Sequence, residues 1–160
     1  STSSAVNPAP NGAWETANWK TYTSPNGYSI KYPPTAQLNK QLSNDAIEFE
    51  IKEASISITF WLLDFTNYNK TIDEYLDQIN TGLGPRVIDK KVEGVKLNGI
   101  AVYYREDYLG NKPSYRVVIP LKNKKNIEIR GNYADDGTDA HLLKTAFDQI
   151  LSTFKFIDLK

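Results

Sequence analysis

Apolar and polar residues alternate with a period of two in one segment of this chain after another, and the segments end on residues that make turns. Tyr28, Ile30 and Tyr32 oppose Ser29 and Lys31; Ile47, Phe49 and Ile51 oppose Glu48, Glu50 and Lys52; Ile127 and Ile129 oppose Glu128 and Arg130. This period places alternate side chains on opposite faces of a strand, so each segment is expected to have one buried and one wet face. Ser24-Pro25-Asn26-Gly27 has turn chemistry and predicts a hairpin from Trp19–Thr23 and Gly27–Tyr32. Pro33-Pro34 ends it, because proline donates nothing to a sheet ladder, and residues 35–46 read as a polar connector. In the next strand Ile56, Ile58, Phe60 and Leu62 line one face, while Trp61 and Leu63 on the other suggest that its end is covered on both sides. Strand signals return at Val87–Val92 and Val95–Leu97, followed by the hairpin dipeptide Asn98-Gly99. Ile100–Asp107, Tyr115–Leu121 and Ile127–Arg130 then read as three consecutive antiparallel strands.

Two segments change to a helical period. Thr71-Ile72-Asp73-Glu74 is a capping box, in which hydroxyl and carboxylate satisfy the first free amides of a helix. Ile72, Tyr75, Leu76 and Ile79 follow at helical spacing with Gly82 as the stop, which predicts a short helix near 71–82. Leu143, Ala146, Phe147, Ile150, Leu151 and Phe154 form a second stripe behind the Asp135–Asp139 cluster, which predicts a long C-terminal helix near 139–154. A half-apolar sheet must bury a face against other elements. The expected fold is therefore α+β, an α/β/α sandwich around a central antiparallel sheet of about six strands. Residues 1–18, rich in Ser, Thr, Asn and Pro, read as a flexible tether, and residues 19–160 as a single domain.

Composition narrows the function. With 19 Lys+Arg against 19 Asp+Glu the formal charge is zero, which speaks against a nucleic-acid partner, since phosphate binding draws on an excess of cations. Residues 1–80 are nevertheless acidic on balance and residues 81–160 basic. Cysteine is absent, which removes disulfides, thiolate nucleophiles and cysteine-held metals. No apolar run approaches the length of a membrane span. A chain without Met that starts at Ser1 is expected to be a processed piece, and its Ser/Thr-rich start is of the kind that follows the lipid-modified cysteine of a bacterial lipoprotein.

His141 is the only histidine. No nucleophile elbow, phosphate-cradling glycine loop or H-E-x-x-H pair accompanies it, so no enzyme and no cofactor are expected. Asp135, Asp136, Asp139 and His141 could offer donors to a divalent ion. A calcium loop counted from Asp135 would need Glu at its last position, where Ala146 stands. The same carboxylates are accounted for by the positive end of the following helix, and no metal is expected.

The surface expected to bind a partner lies on the strands between residues 100 and 130. If Ile100, Val102 and Tyr104 face the core, Tyr103, Arg105, Arg116 and Arg130 share the opposite face, with Glu128 among them. Arginine and tyrosine are the usual anchors of interfaces and of anionic ligands, although a solvated face laced by Arg–Glu and Arg–Asp pairs, or a face partly packed under the long helix, accounts for the same pattern. Exchanging Arg105 and Arg116 for Glu is expected to weaken partner capture while sparing the fold. Lys122, Lys124 and Lys125 form a basic hairpin tip that would suit an anionic partner or membrane.

Three stretches, WKTYTSPNGYSIKYPP (19–34), VKLNGIAVYYRED (95–107) and LLKTAFDQILSTFKFID (142–158), resemble the PsbP-like domains, named after an extrinsic photosystem II subunit and present in bacterial extracytoplasmic lipoproteins. The resemblance spans about Trp19 to Asp158 and rests on aromatics and turns. It implies an α/β/α sandwich, a place outside the cytoplasm, no catalysis, and a binding or scaffolding role toward a protein or cell-envelope component. The alternative is a carrier of a small ligand or metal ion, using the gap between sheet and C-terminal helix or the Asp135–His141 turn.

Overall fold

The computed structural model describes residues 15–43, 46–67, 69–82, 87–97, 99–109, 112–122, 124–133 and 140–158. The first hairpin forms as its turn chemistry requires. β1 (Lys20–Ser24) pairs antiparallel with β2 (Tyr28–Tyr32), with Ser24 opposite Tyr28. Gly27 takes a positive φ of 88° and its N–H closes the turn onto the Ser24 carbonyl at 3.2 Å, a conformation only glycine adopts cheaply. β3 (Gln37–Ser43) and β4 (Ala46–Ile51) follow, then a 3₁₀ turn (Lys52–Ala54) and β5 (Ile56–Asp64). After α1 (Ile72–Gly82) come β6 (Val87–Val92) and a small ribbon of β7 (Lys96–Leu97) and β8 (Ile100–Ala101). β9 (Tyr103–Leu109), β10 (Lys112–Pro120) and β11 (Lys125–Tyr133) form the expected meander, followed by α2 (Ala140–Ser152) and β12 (Lys155–Phe156).

The strands form a seven-stranded antiparallel sheet in the order β3-β4-β5-β11-β10-β9-β6 and a three-stranded sheet in the order β1-β2-β12, apart from the β7–β8 ribbon. Among the described residues the molecule is thus mostly β with two short α-helices, and the expected α/β/α sandwich with a long C-terminal helix is corrected. Two features account for the difference. Phe154 continues the apolar stripe of α2 at helical spacing, yet the helix stops at Ser152, where the N–H groups of Thr153 and Phe154 turn onto the Ile150 and Leu151 carbonyls at 3.1 and 3.0 Å. Lys155 and Phe156 then pair with Ser29 and Tyr28 of β2. The central sheet is also wider than expected, because the segment read as a connector contains β3, which pairs with β4 from Gln37 opposite Glu50 to Ser43 opposite Ala46.

The small sheet and α2 share one face of the large sheet. Tyr28 stacks between Phe60 and Phe154, with ring centroids 5.9 and 5.3 Å away, and Tyr32 lies 4.6 Å from Phe49. Beside them Phe147 of α2 packs on Tyr115 at 5.7 Å and edge-on to Tyr104 at 6.3 Å. Gly131 makes this approach possible: a Cβ there would stand 2.7 Å from Phe147 Cδ2 and 3.3 Å from Leu143 Cδ1.

α1 lies against the other face. Its capping box is reciprocal, the Thr71 N–H donating to the Glu74 carboxylate at 2.7 Å and the Glu74 N–H to the Thr71 hydroxyl at 3.2 Å. The bonds that the Thr71 N–H and hydroxyl donate to the Glu74 carboxylate hold that carboxyl below its usual range. Leu76 of α1 and Val118 of β10 are fully buried; Tyr75 meets Phe65 edge-on at 5.1 Å.

Candidate binding surface

Antiparallel register places the arginines expected to anchor a partner directly side by side. Arg105 of β9 stands opposite Arg116 of β10, and Arg116 opposite Arg130 of β11, with Thr59 of β5 next in the row. Like charges in facing positions repel, so the row exists only because carboxylates reach it. Glu128, two residues before Arg130 on β11, pairs with Arg130 and lies 3.9 Å from Arg116. From α1, Tyr75 donates its hydroxyl proton to Glu128 at 3.3 Å, and Asp77 accepts from the Arg105 guanidinium at 2.8 Å. Arg130 also lies over the Trp61 ring, 5.0 Å from its centroid, a favourable cation–π placement.

This network is largely internal. The side chains of Arg105 and Arg116 are each 5% exposed and that of Glu128 is 1% exposed, whereas Arg130 retains 32%; Tyr103 is half-buried. The expectation that Arg105 and Arg116 present an outward surface is therefore corrected. α1 covers them, and charge reversal there would bury unbalanced carboxylates instead of altering an accessible patch. The physical environment registers at Tyr75: burial, followed by the neighbouring Glu128 carboxylate, pushes its hydroxyl up to about 12.

The acidic turn does not gain support. Asp135, Asp136 and Asp139 lie outside the described residues; His141 is exposed in the first turn of α2. Among the described residues, no group of three or more His, Cys, Asp or Glu stands together where it could hold a metal. The gap between sheet and C-terminal helix is filled by Leu143 and Phe147, both fully buried.

An open groove of about 690 Å³ lies elsewhere, where three loops meet. One wall is the β1–β2 turn, Pro25 to Gly27; another is the β10–β11 tip, Pro120 to Lys122 with Lys125; the third is Phe156 to Asp158, and Leu62 of β5 completes the lining. Main-chain bonds fix each wall. The Ile157 N–H donates to the Gly27 carbonyl at 3.0 Å, joining the end of β12 to the first turn. In the tip, the Leu121 N–H donates to the Lys125 carbonyl at 2.8 Å, and the Phe65 N–H to the Lys124 carbonyl at 3.0 Å. Lys124 there takes a positive φ of 57°.

Leu62, Pro120, Leu121, Phe156 and Ile157 give the groove an apolar lining. Phe156, at 42% exposure, is the one large hydrophobic side chain that is exposed among the described residues. Lys122 and Lys125 line the groove against a single acid, Asp158, and Lys124 and Lys155 are exposed beside it. The lining contains no hydroxyl, thiol or imidazole, so what it offers a ligand is apolar burial and positive charge. The sequence expectation included the lysine tip but not Phe156 or Ile157, which follow the helix expected near 139–154. The signal available was the short alternation Phe154, Lys155, Phe156, which fits a strand as well as the last turn of a helix. Compared with known families and curated proteins, the chain matches no family model and no curated protein.

Proposed function

We propose that this chain is a non-catalytic binding domain that acts outside the cytoplasm and engages a protein or cell-envelope partner through the groove between the β1–β2 turn, the β10–β11 tip and β12. The carrying observation is the concentration of exposed apolar surface at Phe156 in a groove rimmed by lysines, a composition typical of a surface that waits for a partner. The motifs that resemble PsbP-like domains support the binding role and the extracytoplasmic site, although the layered fold they implied is not the one found. No described helix is long and apolar enough to cross a membrane.

A photo-crosslinking residue placed at Phe156 in the full-length protein, in its own cells, tests the proposal. The expected result is a discrete adduct from position 156 and none from the exposed Glu53 on the 3₁₀ turn; equal labelling from both, or none from either, would remove the groove as the working surface. A second reading has one observation in its favour, since the groove volume falls within the range of small-molecule sites. A carrier would be stabilised by about 2.7 kcal/mol at a ligand concentration a hundred times the dissociation constant, which a thermal-shift panel of metals and organic anions would register.

A further inference from the structure

Resting on the reading of the groove as the binding surface, we propose that its occupant is an extended segment of a partner protein, carrying acidic side chains between apolar ones, that adds as a strand along β12. β12 is an edge strand, next to β2 on one side only. The bond from the Ile157 N–H to the Gly27 carbonyl shows that residue 157 turns its main chain toward the first hairpin. Antiparallel ladders alternate, so the N–H and C=O of Phe156, opposite Tyr28, point away from β2. Main-chain groups directed outward from an edge are the template that an added strand uses.

The side chains around that edge select the segment. A strand presents every second side chain to the same surface, and the apolar lining formed by Leu62, Leu121 and Phe156 receives one such row. The other row meets Lys122 and Lys125 in the lining, with Lys124 and Lys155 exposed at its margin. A lysine on a two-residue edge is a guard against indiscriminate pairing. Here Lys155 disfavours a second copy of the same edge, which would bring a lysine against it, and an acidic strand removes that penalty. Charge and backbone thus point to the same occupant, and the concave arrangement of three walls suits a strand better than a flat lipid surface.

The test is a random dodecamer display library selected against the full chain, followed by titration of the enriched peptides into ¹⁵N-labelled protein. The expected result is enrichment of sequences in which Asp or Glu alternates with apolar residues, with amide shifts at Gly27, Phe156–Asp158 and Lys122–Lys125. K122E/K125E should lower the affinity at least tenfold, and N-methylation at alternate peptide positions should abolish binding. Three outcomes overturn the proposal: enriched peptides without acidic bias, unchanged affinity for K122E/K125E, or binding insensitive to N-methylation. If such peptides still shift the groove amides, the groove remains the binding surface and only the acidic strand fails; if they shift a different region, both fail. Dimerisation through β12, or binding of vesicles of anionic phosphatidylglycerol with no peptide enriched, likewise overturns it in favour of a second copy or a membrane.

Discussion

The two faces of the seven-stranded sheet are built on different physics. Toward α2 and the small sheet, Phe49, Phe60, Ile119, Ile129 and Phe147 are buried without polar atoms to satisfy, so each contributes by removing apolar area from water. Toward α1, the buried residues include Arg105, Arg116, Thr59 and Glu128, whose desolvation must be offset by ion pairs and hydrogen bonds. The comparison teaches that burial alone does not measure stabilisation. The apolar face holds the molecule together, and the charged face helps specify where α1 sits, because Tyr75 and Asp77 of α1 bond into its network.

Substitutions can break this contrast. The largest effect is expected from Arg105→Glu with Arg116→Glu, which places one new carboxylate beside the buried Glu128 and another beside Asp73 and Asp77; the protein should not fold, as seen by loss of a cooperative urea transition, and a fully folded double variant would show that the face is more open than its burial implies. Phe147→Ala on the apolar face should cost about 3–5 kcal/mol by chemical denaturation. Glu128→Leu should cost about 3 kcal/mol, since it removes the buried carboxylate that faces both Arg116 and Arg130. Adding Arg116→Met should recover most of that loss, whereas no companion substitution restores the cavity left by Phe147→Ala. Thr71→Ala, which opens the capping box, should cost about 1 kcal/mol.

Alkaline titration sharpens the same comparison. The Tyr75 hydroxyl titrates at about 12 in the folded protein against about 10 in an unfolded chain. The folded state therefore keeps its proton longer, so this contribution is complete below pH 10 and is lost as pH rises from about 10 to 12. Burial pushes Tyr28 and Tyr115 on the apolar face up as well. Urea midpoints between pH 8 and 12 should fall less steeply for Tyr75→Phe, Tyr28→Phe or Tyr115→Phe than for the parent, each by about one proton's share. A slope unchanged by Tyr75→Phe would show that α1 releases that ring before it ionises.

Much of the strand architecture was legible because it is local. The Ser24–Gly27 turn, the capping box at Thr71 and the alternation along β4, β5, β10 and β11 each state their geometry within a few residues. β3 was not legible, because Gln37–Ser43 is a polar segment at the sheet edge whose strand character comes from pairing with β4. The arginine face was located correctly as a face and wrongly as a surface: alternation tells which side a residue takes, and only the docking of α1 tells whether that side meets water. The groove was half visible, in the lysine tip, because its walls come from positions far apart in the chain.

Local chemistry in the sequence thus determined where this chain turns, which residues alternate into a core and where its first helix begins, since those outcomes depend on φ restrictions, side-chain period and capping groups among near neighbours. The tertiary structure alone decided that the C-terminal stripe ends early, that Lys155 and Phe156 pair as a strand, that Arg105 and Arg116 go beneath a helix, and that three distant loops meet in a groove. Each of these depends on long-range burial and pairing, which can override a local preference worth only a fraction of a kcal/mol per residue.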